Sequence, residues 1–167
     1  MAKKLSVVLA CVAAMSCASG ASSDSFIELT PYPGWTGPPA ASSGPEVEIF
    51  RPLRSQSEWS ALWKTLRPHS VGHNVDAPLV DFSKFTMLVA ALGTRPTGGY
   101  TVQFQYAWDN GSTLLISVLE GRPGHGCMST TTLTYPVAIV LVPRTDHPAT
   151  FQVDSADINC GATRSFH

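Results

Sequence analysis

Hydrophobic and polar residues alternate from residue 100 onward, with the period of two that is typical of a half-buried β-strand. The positions on one face are aromatic or β-branched: Tyr100, Val102, Phe104, Tyr106 and Trp108. The residues between them on the other face are polar, namely Thr101, Gln103 and Gln105. We therefore predict a strand whose aromatic face lies in the core.

A helical period replaces the strand period between residues 55 and 68. Ser55 and Glu58 have the spacing of a capping box, in which each side chain satisfies a backbone amide at the start of a helix. Apolar residues then follow at helical spacing: Trp59, Leu62, Trp63 and Leu66. Pro68 ends the pattern. We predict one amphipathic helix, at about residues 56–67, whose tryptophan stripe packs on a sheet.

Further apolar runs predict the remaining strands. Residues 85–92 are apolar except for Thr86, which indicates a central strand buried on both faces, and residues 137–142 form a similar run. Shorter strands are expected at 46–50, where Pro52 ends the strand, and at 114–119, 130–134 and 151–153. The predicted fold is α+β and mainly β, a single antiparallel sheet or meander of about six to seven strands with the helix packed on it.

The turn at Asp109-Asn110-Gly111 sets the register of the predicted hairpin. A two-residue turn would place Ser117 opposite Phe104. A three-residue loop with Gly111 in the left-handed conformation pairs Tyr106 with Leu114, Phe104 with Ile116 and Val102 with Val118, apolar against apolar. We predict the second register. It brings the loop at 95–100 and the loop at 122–126 to the same end of the hairpin.

Composition and charge narrow the class of protein. Of the 167 residues 44% are hydrophobic but only 14% are charged, which favours a β-rich exported protein over a cytosolic helical one. The net charge of −1 offers no electrostatic basis for binding nucleic acid.

The N-terminus has the pattern of a bacterial export signal. Lys3 and Lys4 precede an uncharged apolar run at 5–15 that is too short to span a bilayer. Two processing routes remain open. In the first, Cys17 ends a lipobox-like tetrapeptide, departing from the usual pattern at Ala14, and becomes a lipid anchor. In the second, signal peptidase I cuts after Ala18 or Ala21.

We favour the anchor on Cys17, because a Ser/Gly/Ala-rich stretch follows it. Ala18 in the next position indicates an outer-membrane lipoprotein, with the periplasm and the cell surface as alternatives. The predicted organisation is an export signal at 1–17, a Pro/Gly/Ser-rich leash at 18–45 and a β-rich domain at 46–163.

Two cysteines remain beyond the predicted signal, Cys127 and Cys160. In an oxidising compartment an even pair predicts a disulfide. Two free, buried thiols are the alternative.

Catalytic motifs are missing from the sequence: it has no G-x-S-x-G elbow, no H-E-x-x-H and no phosphate-binding loop. Asp81, Asp109 and Glu120 could form a glycosidase-like acid pair only if the fold brings them together. His125 lies two residues from Cys127, but a disulfide would consume the thiol. We therefore predict that the protein is not an enzyme.

Metal binding is not expected either. His69 and His73 are four residues apart, but the prolines and glycines around them argue against a helix, and no third ligand is close in sequence. No cofactor is predicted.

Binding of another protein is the function that the loops favour. Pro96 limits the entropy lost on binding, while Gly98 and Gly99 allow another chain to come close. The predicted partner-binding residues lie in the two loops: Arg95, Pro96, Thr97, Gly98, Gly99, Tyr100, Arg122, Pro123, Gly124 and His125. The alternative is that the two glycines only turn the chain into its strand.

Several of these segments resemble the PrcB C-terminal-type domain. The resemblance covers about residues 46–145. It includes Asp81-Phe82-Ser83-Lys84, the stretch Gly93-Thr94-Arg95-Pro96-Thr97-Gly98-Gly99-Tyr100, the loop at Pro123-Gly124 and the strand entry at Tyr135-Pro136. That family consists of exported bacterial proteins named for a subunit that associates with a surface protease and stabilises it. The resemblance implies a non-enzymatic accessory domain that binds an envelope or secreted protein, with a protease among the candidates.

A shorter similarity links the same loops to chagasin-like cysteine protease inhibitors. These inhibitors present a proline-threonine-threonine-glycine-tyrosine loop beside a glycine-rich loop. Residues 96–100 and 122–126 have a similar layout, with Gly98 in place of the second threonine. This similarity implies protease inhibition as the alternative function.

Overall fold

Two four-stranded sheets lie face to face, and one helix covers the outer face of one sheet. The computed structural model describes residues 25–33, 35, 44–66 and 76–160. Its elements are β1 (Ser25–Ile27), β2 (Thr30–Pro31), β3 (Ile49–Leu53), α1 (Gln56–Leu66), β4 (Phe85–Ala91), β5 (Thr101–Asp109), β6 (Leu114–Pro123), β7 (Val137–Pro143) and β8 (Ala149–Ile158). The mainly β class with one helix is as predicted.

The prediction of a single sheet of about six to seven strands is wrong, because the described residues form two sheets of four strands each. Sheet A has the strand order β1-β5-β6-β8, and sheet B has the order β2-β7-β4-β3. The strand pairs are antiparallel except β6 and β8, which are parallel. Strand β4 is buried on both faces as predicted, but its two covers differ: Met87, Val89 and Ala91 pack in the helix cluster, whereas Leu88 and Ala90 pack between the sheets. A strand buried on both faces needs two covering layers, and here the second layer is another sheet.

Helix α1 forms as its pattern predicts. The Ser55 hydroxyl accepts a hydrogen bond from the Glu58 amide at 3.3 Å, and the Glu58 carboxylate accepts one from the Arg54 amide at 2.9 Å. The Arg54 amide in particular holds the pKa of Glu58 below its usual range. The predicted stripe, Trp59, Leu62, Trp63 and Leu66, is buried against sheet B.

Strand β3 runs through Pro52 instead of ending there. Among the described strands it pairs only with β4, with Pro52 opposite Leu88, and it lies at the edge of sheet B. A proline is tolerated at such an edge because its missing N–H costs no ladder hydrogen bond.

Because of a β-bulge at Gln105, the second half of strand β5 has the opposite orientation to the one that we predicted. Phe104 pairs with Val118 but Tyr106 pairs with Ser117, so Gln105 is the extra residue. Before the bulge Val102 and Phe104 face the core, and after it Ala107 does. Because one extra residue reverses the alternation, Tyr106 and Trp108 lie on the outer face of sheet A and not in the core.

The hairpin register also differs from the prediction. Asp109 pairs with Leu114 across a four-residue loop, Asn110–Thr113. The Asn110 side chain accepts hydrogen bonds from the amides of Ser112 at 3.1 Å and Thr113 at 2.8 Å, which stabilises this longer loop. Gly111 has the expected left-handed conformation, with φ of 81°.

The segment that we predicted to be a leash contains the two short strands β1 and β2, one in each sheet. Tyr32 is buried beside Trp59, and the Trp35 indole donates a hydrogen bond to the Val137 carbonyl at 3.1 Å. Residues 25–33 and Trp35 thus contribute to both sheets and to the helix layer. The predicted export signal and Cys17 lie outside the described residues. Within the described ranges, the structure has no helix long and apolar enough to cross a membrane.

The predicted disulfide joins Cys127 to Cys160, which are 33 residues apart and follow β6 and β8. In the chain-entropy account, opening a loop of this length by the substitution Cys127→Ser/Cys160→Ser is expected to lower the free energy of unfolding by about 3.7 kcal/mol. Urea denaturation followed by circular dichroism measures the change. An oxidised wild type no more stable than the double variant would contradict it.

Candidate functional site

The two loops chosen from the sequence lie side by side at one end of sheet A. We call residues 95–100 and 122–133 together the loop surface. Strands β5 and β6 position both parts, because the pair Thr101 and Gly121 closes the ladder between them. Strand β6 continues to Pro123, so the second loop begins later than predicted.

Backbone hydrogen bonds pin the first loop to the chain that follows the second. Arg95 and Thr134 exchange amide–carbonyl bonds at 2.8 and 3.0 Å. The Gly98 amide donates to the Thr130 carbonyl at 3.0 Å, and the Thr134 hydroxyl donates to the Thr97 carbonyl at 2.7 Å. The loop surface is therefore a preformed structure and not two independent loops.

The paired glycines are required by packing. A Cβ at Gly98 would lie 2.6 Å from the Thr130 hydroxyl oxygen. Gly99 has a φ of 85°, and a Cβ there would lie 3.1 Å from Pro123. A side chain at either position would push the two loops apart. Substitution of these glycines would therefore test folding of the surface before it tested binding.

Arg95 is the electrostatic centre of the surface. Its guanidinium forms ion pairs with Glu120 at 3.0 Å and with Glu48 at 3.1 Å, and it lies 6.0 Å from the centre of the Tyr100 ring. Burial by itself would lower the pKa of Arg95, but the hydrogen bonds to the two carboxylates raise it above its usual value. Its side chain is 18% exposed, so Arg95 orients the loop and presents little surface to a partner.

The second loop is anchored at its base and open at its tip. The Gly124 amide donates to the Ile158 carbonyl at 3.2 Å, and the disulfide at Cys127 ties the loop to the end of β8. His125 is exposed, and Met128 is fully exposed directly after the disulfide. Methionine is common at adaptable binding surfaces because its side chain is flexible and polarisable.

Of the ten predicted residues, the structure leaves four clearly exposed: Pro96, Gly99, Arg122 and His125. The other six are partly buried: Arg95, Thr97, Gly98, Tyr100, Pro123 and Gly124. The sequence analysis missed Met128 and Leu133, both exposed, because a single apolar residue in a polar loop has no periodic signal.

The three carboxylates considered for acid–base chemistry have separate partners. Asp81 accepts hydrogen bonds from Ser83 and pairs with Lys84. Asp109 contacts His147, and Glu120 is held by Arg95 and by Arg122 at 3.3 Å. Each carboxylate thus has a structural role of its own.

Asp109 joins the β5–β6 hairpin to the chain that leads into β8. Its carboxylate accepts hydrogen bonds from the Gly111 amide at 2.8 Å and from Nδ1 of His147 at 2.9 Å. Arg54 holds the same segment by donating to the carbonyls of Thr145 at 2.9 Å and His147 at 2.6 Å. Burial by itself would raise the pKa of Asp109, but the hydrogen bonds from His147 and Gly111 hold it below its usual range.

The depressed pKa of Asp109 makes this contact sensitive to acid. The substitution Asp109→Asn is expected to lower the free energy of unfolding by about 1–2 kcal/mol at pH 5. A folded-state pKa below the unfolded value of about 3.9 stabilises the fold above that pH, and the benefit is lost as pH falls through the folded-state pKa. Urea denaturation should therefore show the gap between wild type and variant closing as the pH falls below about 4. A gap that does not narrow in acid while both proteins remain folded would contradict the assignment.

No cluster of three or more potential metal ligands occurs among the residues that the structure describes. The pair His69 and His73 lies outside those residues.

Part of the chain matches a known protein family. No curated protein and no solved structure is similar enough to match the chain. A family model described as PrcB C-terminal matches residues 86–143. The match spans β4 to β7 and includes the loop surface, whose predicted resemblance to this family is thereby confirmed. Over residues 86–143 the chain is thus similar to the PrcB C-terminal family.

Proposed function

We propose that the protein is a non-enzymatic accessory subunit that binds an exported protease through the loop surface and stabilises it. The family match supports association with a protease complex. The preformed loop surface is the observation that supports this position for the binding site. Its backbone is pinned by the Arg95–Thr134 bridge, while Arg122, His125 and Met128 remain exposed around it. A rigid surface loses little conformational entropy on binding. More of the interaction free energy of its exposed side chains therefore remains as binding affinity.

The exposed side chains of the loop surface offer a partner both apolar and charged contacts. Met128 offers an apolar, adaptable side chain, and Arg122, which is half-exposed, offers a cation that Glu120 orients. Methionine and arginine are both enriched at protein interfaces. Around them lie the small hydroxyl side chains of Ser129 to Thr132, all exposed. We infer that Met128 and Arg122 are the anchors of the contact and that the hydroxyl groups form its rim.

A photo-crosslinking residue at position 128, compared with the same residue at the exposed position Leu79, would identify the partner in cells. Affinity for the purified partner is then measured with Arg122→Ser/Met128→Ser. The matched control is Lys64→Ser/Leu79→Ser, which also removes one exposed cation and one exposed apolar side chain. We expect at least a tenfold loss of affinity in the first variant and less than a twofold change in the control. Equal affinities would exclude the loop surface as the contact.

Stabilisation of the partner is a separate readout. A ligand that binds only the folded state raises its stability by mass action, so saturating amounts of the wild-type chain should prolong the partner's half-life during thermal inactivation.

Assay of papain-type proteases with the same protein tests the inhibitor alternative. Submicromolar inhibition of such an enzyme would favour inhibition over stabilisation.

We also propose that the chain is exported and carries a lipid anchor on Cys17. Palmitate labelling that is lost on Cys17→Ser, together with sensitivity of processing to globomycin, is the expected result. Release of an unlabelled, processed chain would instead support cleavage by signal peptidase I.

A further inference from the structure

The outer face of sheet A carries an aromatic surface that the loop surface does not include. Trp108 pairs with Phe26 on one side and with Leu115 on the other, and Leu115 pairs with Thr150, so these four residues form one row across the sheet. The next row consists of Tyr106, Ser117 and Gln152. Residues paired across neighbouring strands point to the same face. We call these seven residues the sheet A face.

The sheet A face owes its aromatic character to the bulge. Without the extra residue at Gln105, Tyr106 and Trp108 would face the core, as the alternation from Val102 predicts. Among the described residues, helix α1 covers sheet B, and no element covers this face. Phe26 is 79% exposed and Tyr106 is 47% exposed, with their rings edge to face at 6.2 Å. Two large aromatic side chains thus meet solvent on a regular sheet, where water contact with their rings is unfavourable.

The polar groups of the face are uncharged. A shallow groove of about 180 Å³ is lined by Tyr106, Trp108, Leu115, Ser117, Thr150 and Gln152, with a contribution from Ile116. The lining therefore offers two aromatic rings, three hydroxyl groups and one carboxamide, and it contains no Asp, Glu, Lys, Arg or His. The Gln152 amide also contacts the Asp154 carboxylate at 3.5 Å, just beyond the groove.

We propose that the sheet A face binds a neutral oligosaccharide. A pyranose ring has an apolar C–H face that stacks on aromatic rings, and its hydroxyl groups exchange hydrogen bonds with hydroxyls and carboxamides, which both donate and accept. The groove has room for about one sugar ring, and Phe26 extends the aromatic row beyond it. An acidic ligand would find no cation in the lining. A purely apolar ligand would leave the hydroxyls of Ser117 and Thr150 without partners.

Isothermal titration of the full chain with cellohexaose, chitohexaose and xylohexaose tests the proposal, with an uronic acid hexamer as the charged comparator. We expect at least one neutral hexasaccharide to bind with a Kd below about 1 mM and the charged comparator to bind more weakly. Binding should weaken at least tenfold in Phe26→Ala/Tyr106→Ala, whose side chains are exposed enough to be removed without unfolding the domain. Leu79→Ala, which removes an exposed apolar side chain outside both the sheet A face and the loop surface, is the control and should bind like the wild type.

A spectroscopic readout gives an independent check of position. The neutral sugar should change the tryptophan fluorescence of the wild type but not that of Trp108→Phe, because the three other tryptophans, Trp35, Trp59 and Trp63, pack in the helix layer. Absence of binding by all three neutral sugars to folded protein would overturn the proposal. So would an equal loss of binding in Leu79→Ala. A dimer in sedimentation equilibrium that Phe26→Ala/Tyr106→Ala dissociates would assign the face to a second copy of the chain and would also overturn it.

Discussion

The substitution Arg95→Met is expected to lower the free energy of unfolding by about 4 kcal/mol. Arg95 forms an ion pair with Glu120, whose side chain is only 8% exposed. Removal of the guanidinium leaves that carboxylate in a poorly solvated position with Arg122 as its remaining ion-pair partner, at 3.3 Å. The carbonyl of Leu92, which accepts a hydrogen bond from Arg95, loses this donor as well. Breaking one side of a buried pair costs more than the pair itself contributes, because a desolvated charge is left behind.

Two further variants separate this cost from a general effect of removing arginine. Arg122→Met also removes a cation beside Glu120, but its side chain is half-exposed, so a loss below about 1 kcal/mol is expected. The double variant Arg95→Met/Glu120→Leu removes both charges and should recover at least half of the loss, since no buried charge remains. Urea denaturation at neutral pH measures all three. An Arg95→Met variant no less stable than Arg122→Met would disprove the central role of Arg95.

This result bears on binding because Arg95 holds the first loop in place. In Arg95→Met we expect affinity for the partner to fall even though the side chain is largely buried, since the loop is no longer oriented by Glu120 and Glu48. Arg95 is thus a positioning residue. Recovery of affinity together with stability in Arg95→Met/Glu120→Leu would show that the position of the loop matters and the charge does not.

The sequence predicted those features that depend on local patterns. The capping box at Ser55 and the stripe from Trp59 to Leu66 specify a helix and its buried face within a dozen residues. The run that became β4 showed that this strand would be covered on both faces, because its apolar residues are continuous. The prediction that the two loops lie side by side followed from the antiparallel hairpin, because the start of its first strand and the end of its second strand are neighbours. These predictions needed no knowledge of contacts distant in sequence.

The features that the sequence did not predict depend on such distant contacts. The bulge at Gln105 leaves Tyr106 and Trp108 outside, and their apolar character suits an inward face equally well, so the pattern alone favours the wrong side. The parallel pairing of β6 with β8 depends on a connection through β7 in the other sheet. The role of Arg95 depends on Glu48, which lies far before it in the sequence, and on Glu120, which lies far after it.

The substitution Trp59→Ala is expected to lower the free energy of unfolding by about 4 kcal/mol, since it opens a large cavity in the helix layer. Trp59 is fully buried, with its ring 5.1 Å from that of Trp63 and 5.6 Å from that of Tyr32. Its indole donates a hydrogen bond to the Pro78 carbonyl at 3.1 Å, but Gln56 donates to the same carbonyl at 3.1 Å. That carbonyl therefore keeps a partner in the variant, and the expected loss comes mainly from packing.

Trp59→Phe is the matched control, because it keeps an aromatic ring in the site and removes only part of the volume. We expect it to cost less than half as much as Trp59→Ala, by urea denaturation with the same slope against denaturant. Equal losses would point to the indole hydrogen bond and not to the cavity. Both variants should bind the partner and the oligosaccharide like the wild type while they remain folded, because α1 packs on the outer face of sheet B, whereas the loop surface and the sheet A face belong to the other sheet. The helix layer thus supplies stability on which two binding surfaces depend, without taking part in either.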